Sequence, residues 1–199
     1  MPREPTVAPG EMMAIRRKHR SPASESRGTA AVELALISPM LLILLAGIID
    51  FGRVYRQEIE LSSAVAAASQ YALLNAANVN SSGAARLAAA ISGIVAGGNG
   101  AGWGNASVTV NGGSTSTVTS GTTTAGGTAS NADNSWCPTG TAASLSWGTA
   151  VAGGSTCANG TTAGKFVTIS GSRAFVAIFG GYGLIGGTTL HQSTIVQSQ

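Results

Sequence analysis

The chain has 199 residues, of which 10% are charged and 5% aromatic, with 28 glycines and two cysteines. That length allows one modest domain plus an anchor or tail rather than two full domains, and so little charge beside so much Gly, Ser, Thr and Ala is unlike a cytosolic enzyme. The net charge of +3 does not make a nucleic-acid interface: six basic and three acidic residues precede Thr29 and five of each follow it, whereas neutralising phosphates needs a basic face on the folded part.

Residues 1–28 form a polar, Pro-containing leader that carries Arg16, Arg17, Lys18, His19, Arg20 and Arg27. Its composition predicts disorder. Residues 29–49 then hold a single charge, Glu33. As a helix rising 1.5 Å per residue, that run is about 31 Å long and matches a hydrocarbon core of about 30 Å. It is apolar on all sides, which fits a membrane span better than a helix buried in so small a chain. The run is also about twice the length of a secretory h-region, and no convincing A-x-A cleavage site follows it. The basic leader predicts a cytoplasmic N-terminus, with residues after Asp50 outside and Phe51 and Tyr55 at the far boundary.

A carboxylate inside the span costs on the order of 2.5–3.5 kcal/mol on insertion scales, which makes Glu33 a functional candidate that needs a cation. Arg27 is one partner in the intact chain. Cleavage after Gly28 would create another, an α-amino group on Thr29 one helical turn before Glu33. A neighbouring chain's amine would serve equally. Pro39 removes a backbone donor and leaves the Ala35 carbonyl without its helical partner, so a kink is expected there. That kink is read either as a weak point that yields when the helix leaves the bilayer or as a tolerated bend.

Beyond the span, helical spacing continues to about Asn78. Phe51, Val54 or Tyr55, Ile59, Ser62, Val65 or Ala66, and Ser69 trace a narrow seam, and Arg56 and Glu60 stand at i,i+4. Such a small-residue seam allows neighbouring helices to approach closely. "SSGAARLAAAISGIVAGG" reads as a second helix, with a core stripe of Leu87, Ala88, Ile91, Ile94 and Val95 ended by Gly97 and Gly98. Strand patterns follow in "ASVTV", "KFVTIS", "RAFVAIF" and "TTLHQSTIV". Between the first two, residues 111–135 are Gly/Ser/Thr-rich and read as a mobile excursion or weakly paired strands. The fold class is α+β: a long N-terminal transmembrane helix continues into a small head, with a second helix and an antiparallel sheet of about three or four strands.

Cys137 and Cys157 lie outside the membrane on this reading, where an oxidising compartment predicts one disulfide. Closing a loop of about 20 residues would contribute roughly 3 kcal/mol in the chain-entropy model. No CxxC is present and no histidines accompany them, so no zinc site is expected. "GYGLIG", residues 181–186, matches a dinucleotide fingerprint literally but has no acidic residue after it, and is read as a turn or short hydrophobic loop. The sequons at Asn80, Asn105 and Asn159 are read as accidents of composition. Asp133, Glu58, Glu60 and His191 form no acid pair, metal cluster or nucleophile–base set. The chain is read as not an enzyme, with no cofactor, no metal and no nucleic-acid partner.

"R-G-T-A-A-V-E" before an apolar helix resembles the processing site of type IV pilin-like precursors. The longer run "RGTAAVELALISPMLLILLAGIIDFGRVY" is similar to TadE-like minor pilins, or pseudopilins, of the tight-adherence (Flp-type) pilus. It shares Ser38 and Pro39 in mid-helix and Asp50, Phe51, Gly52 and Arg53 at the exit. The match covers about residues 27–77, with a looser one in the C-terminal strands; Thr29 in place of an aromatic residue favours the Tad branch. The resemblance implies a chain cut by prepilin peptidase between Gly28 and Thr29, with Glu33 serving assembly and charge neutralisation. It also implies that the chain works in pilus assembly or adhesion with other major and minor pilins and the assembly platform. The implied location is the bacterial inner membrane, single-pass with a periplasmic C-terminal part, and later the pilus or cell surface. The implied divisions are a removed leader (1–28), the transmembrane part (29–49), extracytoplasmic helices (50–98) and a disulfide-bonded β head (99–199). The alternative reading is an uncleaved, signal-anchored periplasmic scaffold or adhesin.

Overall fold

The structure, a computed structural model, describes residues 25–98, 100, 102–180 and 187–198. The basic stretch at 16–20, the Arg27 side chain and the 181–186 stretch lie outside the described residues. Two compact units are distinguished, residues 1–44 and 45–199.

Helix α1 spans Glu25–Leu74 with Pro39 inside it, and Ala76–Asn78 follow as a short 3-10 turn. Within the first unit, the apolar side chains from Val32 to Leu44 are exposed. Pro39 does not end the helix. The Ser38 hydroxyl donates to the Ala35 carbonyl at 3.4 Å, the acceptor that proline deprives of its backbone donor.

The second unit holds the rest of α1, helix α2 (Ala84–Ala96) and a five-stranded antiparallel sheet. Its strands are β1 (Asn105–Val110), β2 (Ser114–Thr119), β3 (Thr122–Gly127), β6 (Phe166–Phe175) and β7 (Thr188–Gln197), in the order β3-β2-β1-β6-β7. A separate ribbon pairs β4 (Thr139–Thr141) with β5 (Ser144–Ser146). The sheet is therefore wider than the three or four strands expected. The Gly/Ser/Thr-rich 111–135 segment supplies two of its strands, β2 and β3, paired in continuous register from Ser114↔Gly127 to Thr119↔Thr122.

Both helices lie on one face of the sheet. Ala106, Val108, Val110, Val167 and Ile169 alternate inward and meet Leu87, Ala88, Ile91 and Val95 of α2, with Ile94 partly buried beside them. Each large aliphatic side chain so buried contributes about 2 kcal/mol. The opposite face is polar, with Ser107, Thr109, Thr168 and Ser170 less buried. The close approach of helices and sheet depends on Gly171. A methyl there would meet Val95 at 2.8 Å and Leu61 at 3.0 Å, so the two helices use the space a side chain would fill.

The face that α1 turns to the sheet is not the seam read from the sequence. Leu61, Ala64, Val65, Ala68 and Ala72 are buried, whereas Phe51, Tyr55 and Ile59 are exposed and of that seam only Val65 is buried. Leu61 and Val65 of α1 close over Gly171, and alanines make up the rest of the packed face. The seam stays open.

Asn111 is the polar centre of the head. It is fully buried and, with φ of 53°, stands beside Gly112 (φ 63°) in the β1–β2 turn, a pairing that suits a tight hairpin. Its amide donates to the Ala132 carbonyl at 3.0 Å and the Asn134 carbonyl at 2.6 Å, and its oxygen accepts the Phe166 N–H at 3.1 Å. One side chain thus joins the turn, the 129–134 segment and the start of β6. Asn111→Ala is expected to destabilise the head by roughly 3 kcal/mol, because buried backbone groups lose their partners. Urea unfolding of the detergent-solubilised protein, followed by tryptophan fluorescence, measures it.

Candidate functional site

The residues singled out from the sequence fall in separate places. Gly28, Thr29 and Glu33 sit on exposed positions of the first turns of α1, and a Cβ added to Gly28 would meet nothing within 4 Å. Among the described residues none pairs with Glu33; Arg27, one proposed partner, has no described side chain. Pro39 lies farther along the same helix. Cys137 and Cys157 are bonded, with Cα atoms 5.6 Å apart, and belong to the segment folded over the β1–β2 turn. There Trp136 and Trp147 meet edge to face at 6.0 Å and both rings contact the turn at Gly112. The disulfide therefore holds the head together and is remote in role from the helix start.

At the other end of the apolar run stands a cluster that sequence reasoning left as a family likeness. Asp50 follows directly on residues 29–49 and is 2% exposed. Its carboxylate accepts the Ile178 N–H at 3.0 Å and the Phe179 N–H at 2.9 Å, and Arg53 donates to it at 3.3 Å. The same guanidinium donates to the Val176 carbonyl at 3.5 Å and lies 5.5 Å from the centre of the Phe175 ring. Burial pushes the Asp50 carboxyl up, but the two backbone N–H groups and Arg53 outweigh it and hold the group below its ordinary range.

This clamp explains a difference from the sequence pattern. "KFVTIS" and "RAFVAIF" alternate like two strands, yet they join through Gly171 into the single strand β6, which stops at Phe175. Beyond it, the N–H groups of 178 and 179 turn to Asp50 instead of a neighbouring strand. Asp50 and Arg53 pair at i,i+3 within one helix, whereas the partner 128 residues away leaves no local signal in the sequence.

Two turns further on, Glu60 joins Arg56 at 3.0 Å, as the i,i+4 spacing predicted, and also Arg173 of β6 at 3.1 Å. Arg173 stacks 4.5 Å over the Trp103 ring. Arg56 and then Arg173 lower the Glu60 carboxyl against the effect of burial. Arg53, Arg56, Gln57, Glu60, Trp103 and Arg173 line a cavity of about 420 Å³. Among the described residues no group of three or more His, Cys, Asp or Glu could hold a metal. The arrangement is one of anchoring and charge pairing.

Residues 28–70 match the family model described as TadE-like protein. No curated protein and no solved structure matches significantly. Over that segment, from Gly28 through the apolar run and the Asp50/Arg53 pair to the buried face of α1, the chain is similar to TadE-like proteins.

The carboxyls of Asp50, Glu60 and Asp133 are all held below their ordinary values, the last by the Ser81 N–H. A depressed folded pKa stabilises above the unfolded value and is lost as pH falls through the folded one. The melting temperature of the protein should therefore fall between about pH 5 and pH 3. Asp50→Asn should lower it at pH 7 and make it less steep across that window, as thermal scans at both pH values will measure.

Proposed function

We propose that this chain is a minor pilin or pseudopilin of a Tad pilus, cut by prepilin peptidase between Gly28 and Thr29. The leader 1–28 stays cytoplasmic and is removed. Residues 29–49 hold the chain in the inner membrane, and the helices (50–98) and disulfide-bonded head (99–199) stand on the periplasmic side before the chain joins a filament at the cell surface. Prepilin peptidase, other pilins and the assembly platform are its partners, and its role is structural rather than catalytic.

The observation that carries this reading is the exposed Glu33, five residues after Gly28, at the start of a helix long and apolar enough to cross a membrane. Cleavage supplies an amine to balance the carboxylate, either within the chain or from a neighbour. The open seam supports the reading too. Phe51, Tyr55 and Ile59 continue the exposed apolar surface past the membrane boundary, where a neighbouring pilin helix can lie against it.

The mature chain from native membranes should begin at Thr29 by mass spectrometry, and an intact Met1 terminus would overturn the assignment. Glu33→Ala should be cleaved and inserted normally but enter sheared filaments at least tenfold less. Equal incorporation would remove Glu33 from assembly.

A further inference from the structure

The Asp50 clamp leaves a surface with no partner in the chain. Residues 176–179 are held by their backbone: the N–H groups of 178 and 179 go to Asp50, and the carbonyl of 176 to Arg53. Their side chains are not drawn into the core. Val176 is 74% exposed and Ile178 61% exposed, although Phe175 just before them is almost wholly buried. Two large aliphatic side chains are thus displayed on a segment three of whose backbone groups are already engaged by α1. That combination suits a lipid boundary, where free N–H groups are costly and apolar side chains are not.

The height of the segment follows from its anchor. Asp50 is the first residue after the apolar run, and Leu45, Ile48 and Ile49 just before it are exposed on the same unit. The 176–179 segment, whose Ile178 and Phe179 N–H groups bond the Asp50 carboxylate at 3.0 and 2.9 Å, therefore stands where α1 leaves the hydrocarbon. Arg53 and Arg56 follow about 4.5 and 9 Å farther along the helix at 1.5 Å per residue, the depth of the headgroup layer. The Arg56 side chain, 82% exposed, reaches lipid phosphates readily, while Arg53 is turned to Asp50. Tyr55, also exposed, belongs to the same belt.

We infer that this end of the head is a second membrane contact: residues 176–179 rest on the outer surface of the bilayer, with Val176 and Ile178 at the boundary between headgroups and acyl chains, and Arg56 at the phosphates. The occupant is bilayer lipid, continuous with the lipid around α1. The inference rests on α1 spanning the membrane as proposed above. Its consequence is a head held against the bilayer while the chain is membrane-resident, with a contact that must be released when the chain moves into a filament.

The test uses the full chain in phosphatidylcholine–phosphatidylglycerol vesicles, with an environment-sensitive fluorophore on one introduced thiol; Cys137 and Cys157 are bonded and do not compete. Ile178→Cys reports the contact, Thr124→Cys on the exposed strand β3 reports the head away from it, and Leu41→Cys reports mid-span. Spin-labelled phospholipids carry the quencher either near the headgroup or deep in the acyl chain. The expected result is at least threefold stronger shallow-label quenching at 178 than at 124, with deep-label quenching at 41. Equal quenching at 178 and 124, with 41 still quenched by the deep label, would overturn the contact and leave the span standing. Loss of deep quenching at 41 would remove the span itself, and the contact with it.

Discussion

A carboxylate placed at the last step of an apolar helix has to be satisfied. Asp50 meets that demand with two backbone N–H groups of the head and one guanidinium from its own helix. Much of the second unit follows from this. The face of α1 that carries Asp50 is the one turned to the head, so Leu61, Ala64, Ala68 and Ala72 are buried and Phe51, Tyr55 and Ile59 are not. Strand β6 ends where Asp50 takes its next amides, and Arg53, drawn in to balance the charge, covers Phe175. The Glu60 pair with Arg173 repeats the tie farther along, between the same helix and the same strand.

The head is built to tolerate a thin core. Its inward residues are mostly valine and alanine, and the helices come close because Gly171 has no side chain, so that Leu61 and Val65 of α1 and Val95 of α2 pack against it. Polar links then hold what hydrophobic area alone holds weakly. Asn111 joins three segments, Asp133 accepts the Ser81 N–H at 2.8 Å, Lys165 donates to the Val79 carbonyl at 2.8 Å, and the Cys137–Cys157 bond closes the segment that carries the two packed tryptophans. This explains how a chain so rich in Gly, Ser and Thr supports a five-stranded sheet. Its polar face needs no apolar side chains, and its strands are specified by tight turns and backbone pairing.

Local pattern made the helices legible. The apolar run, the α2 stripe and the Arg56/Glu60 pair each rest on spacings within one helix. The long terminal strands were legible by alternation, and the disulfide by compartment and number. What was missed or left open depends on contacts between distant segments. The Ser/Thr alternation of β2 and β3 carries little hydrophobic signal, because only Ser114, Ser116 and Val118 of β2 face inward and β3 is exposed throughout. The rotation of α1 is set by Asp50 and Gly171, more than a hundred residues apart. Pro39 reads from the sequence as a kink that leaves the Ala35 carbonyl without its donor, and its neighbour Ser38 supplies one.

The dependence of the head on Asp50 is tested most directly by amide hydrogen exchange resolved at single residues. The amides of Ile178 and Phe179 should be protected in the native chain and exchange at least tenfold faster in Asp50→Ala, with Val167 and Ile169 in the sheet unchanged. Equal exchange at 178 and 179 in the two proteins would show that the carboxylate does not hold that segment, and the account built on it would be wrong.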